Sequence, residues 1–339
     1  MAQRVLVTGI SGFLGGHVAL ALLEAGYVVR GSLRDIGRAE TVRATLARHG
    51  ADTERLEFVS LDLLADAGWD AAMDGVRYLQ HTASPFIATT PADRAVLVRP
   101  ALEGTERAIA AALAAGVERI VLTSSMAAIA YGHERSRRDF GAADWTDLDG
   151  RDISAYTESK TRAERRAWAL MREASCPERL AAINPSVILG PLLDDDPGTS
   201  VAMIGRLLSG AVPAAPHVGV GIVDVRDVAA LHVAAMTDPR AAGQRLPISA
   251  ATLSLMAMAR ILAEAFPERA GRLPRFEVPD WLVRLAGLFN ADIRANLGEL
   301  GLYKTLDSSL AQTLLARPFI PARDAVIAAA HSLIAQKLL

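Results

Sequence analysis

Arg4-Val5-Leu6-Val7-Thr8-Gly9-Ile10-Ser11-Gly12-Phe13-Leu14-Gly15 is the stretch on which the fold turns. Its first five residues form a short apolar run with no polar alternation, ended by glycine, which reads as a strand buried on both faces. Residues 13–25 then read as a helix closed by Gly26. Three glycines, at 9, 12 and 15, lie between strand and helix. Gly9 permits a tight turn, Gly12 lets backbone approach a pyrophosphate, and Gly15 lets the helix pack close to the sheet. Ser11, Phe13 and Leu14 share the turn and are assigned to the same contact. Exposed amides and the helix N-terminus favour an anion there.

Working outward, residues 27–33, 56–61, 76–81, 118–123 and 180–183 read as further strands. Residues 40–49, 93–115 and 155–174 read as helices, with Pro100 predicting a kink or a late start in the second. Strands alternating with helices specify α/β architecture: a doubly wound parallel Rossmann sheet. Glycine and proline become frequent after Pro185, which points to a smaller C-terminal substrate lobe. The expected division is a dinucleotide-binding domain over 1–185, completed by segments around 217–240. Residues 186–339 are then mainly the substrate lobe and a C-terminal helix. Residues 319–321 are expected to form a capping strand or turn before that helix.

The chain has 339 residues, enough to bury a core without disulfides or a structural metal. Its 36 basic and 38 acidic residues leave no basic excess for nucleic acid. One cysteine, Cys176, excludes an internal disulfide framework and a cysteine-rich zinc site. No apolar run reaches the ~20 residues of a membrane span, and no signal peptide is read at the N-terminus. The expectation is a cytoplasmic protein without a bound metal, monomeric or homodimeric.

The second strand selects the cofactor. A dinucleotide fold that prefers NAD places an acid after this strand to hold the ribose diol. Here Leu33 is followed by Arg34, whose guanidinium suits a 2′-phosphate, so NADP(H) is expected. Further on, Tyr156-Thr157-Glu158-Ser159-Lys160 lies on a predicted helix. Tyr156 and Lys160 are one turn apart and share a face. An ammonium beside a phenol is expected to lower its pKa and fit it for proton transfer to a carbonyl oxygen. Ser124 and Ser125 follow the fifth strand, where a hydroxyl can hold that oxygen.

The Thr-Gly-x-x-Gly-x-x-Gly spacing followed by Tyr-x-x-x-Lys resembles the extended short-chain dehydrogenase/reductase superfamily. The segments His81-Thr82-Ala83-Ser84-Pro85, 156–164, 184–191 and 223–236 look like its dihydroflavonol 4-reductase and cinnamoyl-CoA reductase branch, and in character its microbial aldehyde and ketone reductases. The resemblance implies that Asp62 and Leu63 hold the adenine. It implies that Thr82, Ala83 and Ser84 back the sugar and phosphates, with His81 a packed turn residue. It assigns the active serine to Ser125 rather than Ser124, lets Lys160 hold the nicotinamide ribose, and places Pro185, Val187 and Ile188 at the nicotinamide. Asp227 is expected to cap a helix.

The implied activity is reversible NADPH-dependent reduction of aldehydes or ketones to alcohols. Tyr156 serves as general acid, Lys160 tunes it, and Ser125 holds the oxygen. The chain departs from plant members: Ala130 stands where flavonoid reductases carry Asn or Asp, and the Asn-Trp-Cys-Tyr signature is absent. The small residues of 126–130 suggest an apolar pocket for a hydrophobic carbonyl compound, with Phe86, Tyr131 and Met203 as lining candidates. Two other classes share these features: a nucleotide-sugar epimerase or dehydratase (or a 3β-hydroxysteroid-type alcohol dehydrogenase), and a non-catalytic NADP(H) sensor. Arg34 argues against the epimerase, and the intact Ser125, Tyr156 and Lys160 argue against the sensor.

Overall fold

The computed structural model describes residues 3–84, 93–290, 293–294 and 296–339. Seven strands form the main sheet: β1 (Arg4–Thr8), β2 (Val28–Leu33), β3 (Leu56–Ser60), β4 (Val76–His81), β5 (Arg119–Thr123), β7 (Leu180–Pro185) and β11 (Arg245–Ile248). All pair in parallel, in the order β11-β7-β5-β4-β1-β2-β3. The chain runs outward from β1 to β3 and returns to β4, so the order reverses between β1 and β4, where such sheets open a crevice at their carboxyl ends. Register aligns those ends: Thr8 pairs with His81, His81 with Leu122, and Thr123 with Ile183.

Helix α1 (Phe13–Glu24) ends as its sequence predicts: Gly26 takes φ +86°, and the Tyr27 amide reaches back to the Leu22 carbonyl at 3.1 Å. With α2 (Ala39–Arg48) and α7 (Val225–Thr237) it covers one face of the sheet. Helices α3 (Trp69–Met73), α4 (Ala95–Ala114) and α5 (Ala155–Glu173) cover the other. Helix α4 starts two residues later than the expected 93 and carries Pro100 inside it.

The remaining strands are short. β6 (Asp139–Phe140) pairs with β14 (Thr305–Leu306), β9 (Ala215–Pro216) with β13 (Glu277–Val278), and β8 (Val187–Leu189), β10 (Gly219–Asp224) and β12 (Ala251–Ser254) form a second sheet. Helices α6 (Gly198–Leu208) and α8 (Leu255–Ala265) build a separate core against it, together with the C-terminal helix Ala322–Ala335. The segment 217–240 therefore gives the main sheet a covering helix but no strand. The seventh main-sheet strand is β11, beyond that segment. Residues 319–321 are not a strand.

Asp227 has a different place from the one expected. Helix α7 is capped by Asp224, whose side chain accepts from the Arg226 amide at 2.9 Å. Asp227 is fully buried one turn in. It accepts from the Ile320 amide at 2.7 Å and pairs with Arg317 at 2.6 Å, so it anchors the approach to the C-terminal helix. The Asp224-Val225-Arg226-Asp227 stretch offers two acids near the helix start, and the strand end fixes the first as the cap.

Candidate active site

The glycine turn is built from backbone. Gly9 takes φ +72°, and a Cβ there would lie 2.9 Å from the Ala83 Cα. A Cβ on Gly15 would come within 2.1 Å of the Gly9 carbonyl oxygen and 3.0 Å of Thr82 Oγ1. Gly15 is thus required by the turn itself as much as by the sheet. A Cβ on Gly12 would meet only the Gly9 oxygen at 3.4 Å and otherwise point into open space. Gly12 is the N-cap of α1, and no side chain caps that helix. Its leading amides and its dipole are left to an anion, which is what a bound pyrophosphate needs.

Thr8 ties this turn to the β4 end. Its Oγ1 bonds His81 Nδ1 at 2.9 Å and accepts from the Ala83 amide at 3.2 Å, while Thr82 Oγ1 donates to the Thr8 carbonyl at 2.6 Å. Burial, with help from the Lys160 charge, takes His81 down to about 3, so it is a neutral packing residue, as read from the sequence. Thr82 and Ala83 therefore stand beside the glycine turn. Ser84 lies with Lys160 on a small polar cavity.

Arg34 is exposed at the end of β2 and makes no ion pair among the described residues. Its neighbour Asp35 does not hold it: the Asp35 side chain accepts from the Gly37 amide at 2.9 Å. Asp62 is exposed and accepts from the Leu64 amide at 2.9 Å, and Leu63 packs against Gly104. Ser11 and Phe13 line a shallow crevice with Gly12 and Leu193, and Leu14 is half-buried against the core. Pro185 ends β7, and Val187 and Ile188 continue into β8.

Tyr156 and Lys160 occupy the first turns of α5, whose N-cap Ser154 accepts from the Thr157 amide at 3.0 Å. Tyr156 Oη donates to Ser125 Oγ at 3.4 Å. Ser124 faces elsewhere: its hydroxyl donates to Glu164 Oε2 at 2.5 Å. The geometry separates the two serines, and Ser125 is the one beside the phenol. The electrostatics differ from expectation. Burial pushes the Tyr156 phenol up from its ordinary value, and the Ser125 hydrogen bond only partly opposes it. Lys160 is the group brought down, to about 8, because burial disfavours its charge. The phenol therefore carries its proton at neutral pH, the state a proton donor requires.

The Tyr131 phenol is near enough to that of Tyr156 to interact with it, and Tyr131 lines a cavity of about 590 Å³ whose wall does not include Ser125, Tyr156 or Lys160. Its wall is more charged than the sequence suggests: Arg135, Arg137, Arg284, Glu299 and Lys304 join Phe140 and Leu302. Met126, Ala127, Ala128 and Ile129 are buried away from it, and of that loop Ala130 and Tyr131 reach the cavity wall. Lys304 Nζ sits 3.6 Å from the centre of the Tyr131 ring and pairs with both Glu299 oxygens at 2.9 Å. Met203 packs in the second-lobe core and does not line this cavity. Phe86 lies outside the described residues. Glu164, Asn184, Arg245 and Lys304 are site-adjacent residues that the motifs do not single out. Glu164 alone left a trace, as a carboxylate one turn beyond Lys160 on the same helix face.

A sequence profile described as the NAD dependent epimerase/dehydratase family matches residues 5–249. This chain belongs to that family. Cinnamoyl-CoA reductase CAD2 of Medicago truncatula is 34% identical over 273 residues, covering 79% of this chain and 82% of that protein. Ketoreductase azaE of Aspergillus niger is 30% identical over 318 residues, covering 88% and 93%. The solved structure of yeast methylglyoxal/isovaleraldehyde reductase Gre2 complexed with NADPH superposes with a TM-score of 0.80 at 25% identity, covering 99% of this chain and 100% of that one. These family members agree with the resemblance carried by the motifs, to the dihydroflavonol reductase-like branch of the extended short-chain dehydrogenases/reductases. Among the described residues no helix is long and apolar enough to cross a membrane, and no group of three or more His, Cys, Asp or Glu could hold a metal ion.

Proposed function

We propose that this chain is an NADPH-dependent carbonyl reductase that converts aldehydes or ketones to alcohols. The observation that carries the reading is the hydrogen bond from Tyr156 Oη to Ser125 Oγ at 3.4 Å, placed at the carboxyl edge of the sheet beside an uncapped glycine turn. Two hydroxyls so placed converge on one acceptor, a carbonyl oxygen. The reductase relatives, and the yeast structure with NADPH, support the same direction. Gly9, Gly12 and Gly15, with the amides of Ser11, Phe13 and Leu14, would hold the pyrophosphate. Arg34 would take the 2′-phosphate, and Asp62 and Leu63 the adenine. Thr82, Ala83 and Ser84 would back the sugar and phosphates, and Pro185, Val187 and Ile188 the nicotinamide.

When bound, NADPH supplies the hydride to the carbonyl carbon. Ser125 donates a hydrogen bond to the carbonyl oxygen and holds it near Tyr156. The Tyr156 phenol gives that oxygen its proton, and the resulting phenolate is stabilised by the Lys160 ammonium one helical turn away. In the reverse direction the same groups accept the alcohol proton. The rest of the substrate would extend toward Tyr131, whose phenol neighbours that of Tyr156 and whose cavity carries both charged and apolar groups, so the substrate need not be wholly hydrophobic. The test is NADPH consumption with a panel of aldehydes and ketones. Turnover of several carbonyl compounds is expected. No turnover of any, together with binding of a sugar nucleotide, would instead favour an epimerase or dehydratase.

A further inference from the structure

Behind Tyr156 and Lys160 lies a buried carboxylate whose role has no place in the scheme above. Glu164 is four residues beyond Lys160 and eight beyond Tyr156 on α5, so the three share one helix face. It is 1% exposed. Oε2 accepts from Ser124 Oγ at 2.5 Å and Asn184 Nδ2 at 2.7 Å, and Oε1 accepts from Trp168 Nε1 at 3.2 Å and Arg245 Nε at 2.6 Å. Three of these partners come from different segments around the site, and Trp168 lies one turn along the same helix. Ser124 directly precedes Ser125. Asn184 directly precedes Pro185, and its Nδ2 also donates to the Ser125 carbonyl at 3.2 Å. Arg245 lies on the edge strand β11, packed over the Trp145 ring at 3.7 Å and bonded to the carbonyls of Ala128, Ala142 and Asp144.

Burying a charged pair is costly, and a well-packed neutral pair often holds a core as well or better. Hydrogen bonding to Ser124 and Asn184 could be met by an amide. Only a carboxylate adds negative charge, and it shares a cavity with the ammonium: Glu164 and Lys160 line the same small cavity, together with His81, Ser84 and Ser124.

We infer that Glu164 is a positioning residue for the carbonyl reduction: its charge holds Lys160 as a cation, and its hydrogen bonds fix the Ser125 turn and the Asn184–Pro185 strand end against the Tyr156 helix. This rests on the reductase reading. The electrostatics run the same way, since burial lowers Lys160 to about 8 while the Glu164 carboxylate opposes that fall. The other titratable groups around Lys160 are Tyr156 on its own helix and His81 at the end of β4, the latter neutral. Arg245 is bonded to both Glu164 oxygens, at 2.6 and 3.3 Å.

The test is the pH profile of carbonyl reduction for the wild type and for Glu164→Asp, Glu164→Gln and Glu164→Gln/Arg245→Gln, with Tm and NADPH binding measured alongside. Lys160 must be charged to act, so wild-type kcat should fall as pH rises through about 8. Without the carboxylate, Lys160 loses its proton sooner, and the alkaline limb should move down by about one pH unit. At the wild-type midpoint kcat should drop several-fold while NADPH binding holds. Glu164→Asp should keep the limb near the wild-type position. The double variant removes the Arg245 charge together with its carboxylate partner, so it should recover part of the Tm that Glu164→Gln loses and still show the displaced limb. A limb at the wild-type position in the double variant would overturn the inference and leave the reductase reading standing, because the wild-type turnover in the same experiment is its separate control. If Glu164→Gln does not fold, the double variant alone decides.

Discussion

The glycine turn and the cavity beside Tyr131 are made in opposite ways. The turn is seven consecutive residues, Gly9 to Gly15, closed by contacts that exclude a side chain at Gly9 and Gly15: a Cβ on Gly15 would sit 2.1 Å from the Gly9 oxygen. The cavity is made of side chains from distant segments, including Tyr131, Arg284, Glu299 and Lys304. A contiguous backbone constraint fixes one ligand shape. A wall of separate side chains can be changed without touching the rest. The dinucleotide side should therefore be brittle and the substrate side adjustable.

The largest effect expected from this contrast is at Gly15. Gly15→Val should weaken NADPH binding by about 100-fold or more, since the turn cannot close around a pyrophosphate, and it should lower Tm. A fluorescence titration showing near-normal affinity would mean that the turn is less constrained than its geometry. Next comes Arg34→Ala, which should raise KM for NADPH by about tenfold or more and leave NADH within about twofold. Equal effects on both would remove Arg34 from the 2′-phosphate. The smallest is on the cavity side. Lys304→Met should change relative kcat/KM among carbonyl substrates by about three- to tenfold with unchanged NADPH affinity. A parallel loss of NADPH binding would show that the two sides are not separable.

The same contrast explains what could be read from the sequence. The Rossmann sheet was legible because buried parallel strands are continuous apolar runs, and 4–8, 119–123 and 180–183 show it plainly. The Tyr156–Lys160 pair was legible because helical spacing alone sets it on one face. β11 was not, because Arg245-Leu246-Pro247-Ile248 is short and carries a buried arginine whose partner, Glu164, is 81 positions away. The charged wall was not, because Ala127, Ala128 and Ile129 give no sign that they point inward. The direction of the Tyr156 shift was also missed. Helical spacing puts Lys160 on the face of Tyr156, but burial acts on both groups and dominates each.

The account stands on Tyr156 giving its proton to a carbonyl oxygen beside bound NADPH, and Tyr156→Phe tests it most directly. Single-turnover NADPH oxidation with an aldehyde should slow by about 10²–10⁴-fold, while NADPH affinity, measured by fluorescence, stays within about twofold of the wild type. Oxidation at near wild-type rate in that variant would contradict the account.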